Sequence, residues 1–229
     1  MIPSIALRVL NLFKNVQQIV NAMPQKRTIK IIAAAKTQSV GALKEAYDAG
    51  ICHFGENYVQ EFQKKWEVIQ SWTVRPSLVF IGHLQLNKVK FIIGKAQMIQ
   101  SVDQLKLIKK IETESHKQNV ITDLLIQINI GEEITKSGVL PTKLKSFMQS
   151  IPTSSWFRVQ GFMVLPPYFE DPEKARPFFR KTKELFDDMK GKYPDFSELS
   201  MGTSHDYQVA IEEGATQIRI GKALFCPKK

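Results

Sequence analysis

The sequence predicts an α/β fold, a single (β/α)8 TIM barrel with one extra helix at its N-terminus. Three observations carry this. Short apolar runs alternate with helix-period patterns from Lys30 onward, and such units number eight. The strand runs are continuously apolar, as in a sheet buried on both faces. Strict alternation implies parallel strands, and eight units imply closure into a barrel. An open, doubly wound sheet is the alternative that alternation alone leaves standing.

The elements follow in order. Ile5, Val9, Leu12, Val16 and Ile19 recur at spacings of four and three, the stripe of an amphipathic helix over about 4–21. The barrel is expected over about 30–225, and the chain, 1–229, is expected to form one domain. Its first strand is Ile31–Ala35. Ser39 can cap the helix that follows, with Val40, Leu43, Ala46 and Tyr47 on one face and Gly50 past its end. The second strand is Ile51–Phe54. Asn57 can cap the next helix, whose face carries Phe62, Trp66 and Ile69. Further strands are expected at Leu78–Ile81, Gln97–Gln100, Leu124–Ile130, Val159–Leu165, Glu198–Met201 and Thr216–Ile220. Helical patterns separate them at Leu86–Ile93, Gln104–His116, Thr142–Gln149, Phe178–Lys190 and Tyr207–Glu213, with a last short segment from Lys222.

Composition narrows the function classes. Apolar residues make up 43% and charged residues 24% of the 229, enough for a sizeable core. The net charge is +10, but the basic residues are scattered with no run of five. That argues against nucleic acid, which is met by a clustered basic stripe, and leaves a basic surface suited to drawing in an anionic ligand. No apolar run is long enough to span a membrane, and Arg8 interrupts any signal-peptide core. Cys52 and Cys226 make no disulfide framework, so a reducing cytoplasm is the expected location. The cysteines and His53, His83, His116 and His205 show no metal-ligand spacing; no metal is expected.

In such a barrel the functional face lies at the C-terminal ends of the strands. Lys36 follows the apolar run Ile31–Ala35. An ammonium partly desolvated there would be a better nucleophile, as Schiff-base chemistry with an aldehyde requires. The same segment equally fits a strand-end lysine that snorkels to solvent. Ser200, Met201, Gly202, Thr203 and Ser204 lead from the seventh strand into a helix, with Ser204 as its expected N-cap. N–H groups and hydroxyls at such a start can hold an anion, and Gly221 after the eighth strand lets the backbone approach a ligand. Phosphate sites after strands seven and eight recur in this architecture. Arg219 either points inward, donating to an anion or a ring nitrogen, or pairs with Glu212 or Glu213. His83 can meet a ring or be an ordinary loop histidine.

Seven stretches carry a resemblance: A-A-A-K-T, H-F-G-E-N-Y-V-Q-E, F-I-G-H-L-Q-L-N-K, S-V-D-Q-L, I-Q-I-N-I-G-E-E-I-T-K-S-G, G-F-M-V-L-P-P and L-S-M-G-T-S-H-D-Y-Q-V-A-I-E-E-G-A-T-Q-I-R-I-G. Together they closely resemble the pyridoxal phosphate homeostasis protein family, from about Lys30 to Phe225. The resemblance implies a barrel like that of alanine racemase with pyridoxal 5'-phosphate (PLP) in its mouth, held as a Schiff base on Lys36. It implies that Ser200, Thr203, Ser204 and Gly221 surround the phosphate, that Arg219 faces the pyridine nitrogen, and that Asn57, His83 and Met201 line the cofactor. Ala35, Leu86 and Thr203 depart from the family's usual residues, and the phosphate contact of Thr203 is the assignment most affected.

The implied role is a non-catalytic, monomeric PLP carrier or buffer acting in vitamin B6 homeostasis, with PLP-dependent apo-enzymes as candidate recipients. The chain closes ten residues beyond Arg219, so no second domain is expected to supply an opposing base. The alternatives are a PLP-dependent racemase or decarboxylase acting on a small amino acid, and a Schiff-base aldolase on a phosphosugar.

Overall fold

The eighth strand, Gln217–Ile220, pairs back onto the first, Lys30–Ala34, placing Lys30 opposite Gln217 and Ile32 opposite Arg219, and this closes eight parallel strands into a barrel in chain order. The open-sheet alternative is thereby removed. The strands are β1 (Lys30–Ala34), β2 (His53–Glu56), β3 (Ser77–Phe80), β4 (Met98–Val102), β5 (Thr122–Ile128), β6 (Phe157–Val164), β7 (Glu198–Thr203) and β8 (Gln217–Ile220). The helices are α1 (Ile5–Ala22), α2 (Val40–Asp48), α3 (Val59–Ile69), α4 (Leu105–Gln118), α5 (Pro141–Gln149), α6 (Arg176–Lys190), α7 (Tyr207–Glu212) and α8 (Lys222–Phe225). This computed structural model describes residues 3–193 and 195–225; Cys226 lies outside them. No helix among the described residues is long and apolar enough to cross a membrane.

Local chemistry explains where the expected elements hold and where they shift. Ser39 caps α2, its hydroxyl accepting from the Ala42 N–H. Gly50, at φ +108°, ends that helix. Its N–H returns to the Tyr47 carbonyl and that of Ile51 to Ala46, which is a Schellman cap. Ile51 is apolar because it seals this cap. β2 therefore starts at His53 rather than at Ile51.

Two expected caps are corrected. Tyr58, not Asn57, stands at the N-cap of α3, with no side-chain bond, and Asp206, not Ser204, stands at that of α7. The stretch expected as a helix over Leu86–Ile93 is a 3-10 turn, Leu86–Phe91. α1 packs outside the barrel and buries Val9, Leu12, Val16 and Val20; Ile5 and Ile19 are only half-buried, because the stripe drifts toward Val20 at the helix end.

The core has two layers. The larger lies between strands and helices and includes Leu43, Phe54, Phe62, Leu199 and Ile218. A small inner cluster, Ile32, Val79, Met98, Leu125 and Met163, fills the barrel interior. The rest of that interior, along β4, β7 and β8, is polar.

Candidate functional site

Lys36 lies just past β1, two residues beyond Ala34. Lys30 reaches Glu198 at 2.8 Å and Ile32 joins the inner cluster, so Lys36 continues the even-numbered, inward-facing series. It is exposed, which corrects the expectation of partial desolvation: three alanines before it present too little side chain to shield a long amine. Its Nζ has no hydrogen-bond or ion-pair partner among the described residues.

The backbone beneath that amine is held firmly. The Ala35 N–H donates to the Gly55 carbonyl at 2.9 Å. The Ala35 carbonyl accepts from Lys65 Nζ at 2.7 Å, and Lys65 also pairs with Glu56. Lys65 is 2% exposed and Glu56 0%, so this is a fully buried ion pair between β2 and α3. Burial pushes the Glu56 carboxyl up from its ordinary value, against the hydrogen bond and charge of Lys65. Thr37 follows at φ +62°, its hydroxyl donating to the Lys36 carbonyl at 2.6 Å. A β-branched residue in the left-handed region stores on the order of 1–3 kcal/mol and persists only where its surroundings impose it. The clamp on Ala35 supplies that imposition.

Asn57 and His83 line a cavity of about 290 Å3 at the mouth, with Gln127, Asn129 and Lys136. Gly82 explains the approach of the two loops. A Cβ there would lie 2.1 Å from the Asn57 carbonyl oxygen and 2.5 Å from its Cα. Gly82→Ala must therefore displace backbone. A loss of about 1–3 kcal/mol is expected, the usual size for overpacking, measurable as a lowered urea midpoint. Two wider clefts, of about 730 and 740 Å3, run along α1 away from the mouth and contain none of the expected site residues.

Arg219 points into the barrel. Its Nη1 donates to Ser200 Oγ at 2.6 Å and its Nη2 to the Val164 carbonyl at 2.7 Å. Glu212 and Glu213 pair instead with Arg176 and Arg180, which removes the ion-pair alternative. The two bonds engage Nη1 and Nη2, and Nε has no hydrogen-bond partner among the described residues. Burial depresses the guanidinium to about 10, opposed by the charge of Asp206. It therefore stays cationic at neutral pH.

The other expected residues divide. Ser204 Oγ accepts from the N–H groups of Gly221 and Ala223 at 3.2 and 3.1 Å. It thus caps α8 rather than α7 and ties the seventh loop to the eighth. A Cβ on Gly221 would sit 3.4 Å from Ala34, so this turn lies beside the end of β1. The Thr203 N–H and hydroxyl both donate to Asp206 Oδ1, at 2.6 and 2.9 Å. Ser200 and Met201 are completely buried. Ser200 is placed inside the barrel because its hydroxyl serves Arg219 and Gln100. Met201 belongs to the outer core and offers no surface at the mouth.

Sequence reasoning missed Glu56, Lys65, Gln100, Glu198, Asp206 and Gln217. The signal for Lys65 was helical phase: it falls between Phe62 and Ile69 on the buried face, whereas Lys64 is exposed.

The chain matches the model of the alanine racemase N-terminal domain over residues 8–228. A pyridoxal phosphate homeostasis protein of Aquifex aeolicus is 43% identical over 201 residues, covering 87% of each chain. One of Haemophilus influenzae is 32% identical over 225 residues, covering 92% of this chain and 95% of that one. PipY of Synechococcus elongatus, solved with PLP bound, superposes with a TM-score of 0.84 at 27% identity, over 97% of this chain and 100% of PipY. Diaminopimelate decarboxylase of Helicobacter pylori shares the fold alone, at a TM-score of 0.70 and 13% identity. The match over nearly the whole chain, with Lys36, Arg219 and the Ser204–Gly221 turn gathered around one barrel mouth, makes this chain a member of the pyridoxal phosphate homeostasis protein family.

Proposed function

We propose that the protein binds PLP in the barrel mouth, covalently through Lys36 Nζ, and carries or buffers that cofactor in PLP homeostasis without turnover of its own. The observation that carries this is the unpartnered Lys36 amine at the end of β1, beside the Ser204–Gly221 turn, in a chain whose relatives bear that role in their names and whose structural relative PipY holds PLP. The donor set fits the group. An amine matches the aldehyde, a guanidinium with an unpartnered Nε matches the ring nitrogen, and the Ser204 hydroxyl, which accepts two N–H bonds and donates to no partner among the described residues, matches the phosphate. Asn57 and His83 line the ring, with Thr203, Ser204 and Gly221 at the phosphate end. Ser200 acts through Arg219.

Bound PLP supplies an aldehyde for condensation with amines and a ring able to withdraw electrons. Arg219 sets how strongly it withdraws. Cationic at neutral pH, it would donate a hydrogen bond to the ring nitrogen without giving up a proton, and the ring would then be a weak electron sink. That favours holding over turnover. A carrier would work as a cytoplasmic monomer, with PLP-dependent apo-enzymes as recipients.

The test adds PLP to purified protein, reduces with borohydride and maps the modified peptide. A visible band, fixed by borohydride on Lys36, is expected. No band at saturating PLP, or label elsewhere, would reject the site. Sustained turnover of a small amino acid would replace the carrier with a racemase or decarboxylase.

A further inference from the structure

The barrel interior holds a polar chain that none of the site residues requires on its own. Arg219 Nη1 donates to Ser200 Oγ at 2.6 Å, Ser200 Oγ to Gln100 Oε1 at 2.7 Å, Gln100 Nε2 to Gln217 Oε1 at 2.6 Å, and Gln217 Nε2 to Glu198 Oε2 at 2.7 Å. Every donor points the same way, from the mouth toward the opposite end of the barrel. There Lys30 Nζ closes on Glu198 Oε1 at 2.8 Å and Thr216 Oγ1 on Oε2 at 2.9 Å. Ser200, Gln100, Gln217 and Arg219 are each at most 5% exposed.

This chain answers a question Arg219 poses. A buried guanidinium is expected to sit against a carboxylate, yet its two bonds go to a serine hydroxyl and a backbone carbonyl. We infer that Glu198 is the remote counter-ion of Arg219, acting through Ser200, Gln100 and Gln217, and that this relay is a positioning device for the guanidinium that meets the cofactor ring. The amides are dipoles that a cation at one end and an anion at the other align in the same sense. Bonds so arranged polarise one another in a low-dielectric interior. The relay holds Nη1, the Val164 carbonyl holds Nη2, and Nε is left for a ligand. Lys30 and Thr216 hold Glu198 in place, so the anchor does not swing. Burial alone would raise the Glu198 carboxyl, but the bonds from Lys30, Gln217 and Thr216 outweigh it and hold the group ionised. The rival counter-ion is Asp206, which acts on Arg219 through space and bonds Thr203.

Only the last step, to the cofactor ring, rests on the function proposed above. The test therefore begins on PLP-free protein, with arginine side-chain nitrogen NMR, Arg219 being assigned by the signal lost in Arg219→Lys. Slow rotation of its Nη groups is expected in the wild type. Glu198→Gln removes the anion while keeping its shape, and rotation should speed up severalfold; Asp206→Asn should change it less. If Glu198→Gln fails to fold, Gln100→Met cuts the same chain with little change of volume. Unchanged rotation in both relay variants, or a response to Asp206→Asn alone, would overturn the relay. On adding PLP, binding to Glu198→Gln should weaken severalfold with a shifted visible band. Altered rotation with unaltered PLP binding and spectrum would overturn the cofactor step. A wild type that binds no PLP would sink the proposed function and leave the NMR result standing.

Discussion

Lys36→Ala is expected to abolish the visible PLP band completely while leaving the fold untouched. The two halves of this expectation have separate causes. Lys36 is exposed and makes no side-chain hydrogen bond or ion pair among the described residues, so its removal takes nothing from the folded state. Surface changes of this kind stay within about 0.5 kcal/mol, and the urea midpoint of the PLP-free variant should match the wild type. The ligand-bound comparison should differ sharply. A ligand at about a hundred times its Kd stabilises the native state by about 2.7 kcal/mol. At that PLP concentration the wild type should gain this amount, and the variant should gain little, because only the non-covalent contacts proposed for Arg219, Ser204 and Gly221 would remain. A variant that keeps the band would place the covalent bond on another amine, and Lys136 at the mouth cavity would be the first to replace. A variant that loses stability without ligand would show that the amine has a structural role that the bond pattern does not contain.

The barrel was legible because its signals are redundant. Eight apolar runs, each closed by a helix pattern, leave few ways to fold, and Gly50 announces its own cap. The candidate site drew notice where a residue type is rare in its setting, as for Lys36 after three alanines and Arg219 between two isoleucines. What stayed hidden depends on partners distant in sequence. Ser204 reads as the cap of the helix next to it, and only the closed barrel brings α8 to its hydroxyl. Gln100 and Gln217 lie 117 residues apart and signal nothing until β4 and β8 share one interior. A weak signal did exist: Glu198 and Ser200, like Gln217 and Arg219, are polar residues two apart in otherwise apolar strands, the spacing of one strand face. The hydrophobicity of its neighbours suggests desolvation of Lys36, whereas shielding depends on their size, and Lys36 is exposed.

Lys65→Met should produce the largest loss of stability, and the loss should depend on pH. Lys65 is the hydrogen-bonding partner of Glu56 and of the Ala35 carbonyl, in a setting with almost no solvent. Removing one member of a buried pair leaves the other charged and uncompensated, which costs about 3–5 kcal/mol. Against a total stability of roughly 5–15 kcal/mol, that brings the protein near the edge of folding. The Glu56 carboxyl is already pushed upward by burial, and its Oε2 has no hydrogen-bond partner among the described residues. Without Lys65 it rises further. A carboxyl that binds its proton more tightly when folded favours the fold at low pH and disfavours it as pH rises through the folded value. The gap between variant and wild type should therefore be widest at neutral pH and should narrow as acid neutralises Glu56. Urea denaturation at neutral and mildly acidic pH would measure it. Adding Glu56→Gln to the variant should restore part of the loss at neutral pH and flatten its pH dependence, because a neutral amide tolerates burial better than a lone carboxylate. Equal loss at both pH values, with no rescue by Glu56→Gln, would mean that Lys65 matters only as a donor to the Ala35 carbonyl. In either case the end of β1 loosens beneath Lys36, and the strained Thr37 loses the support that holds it.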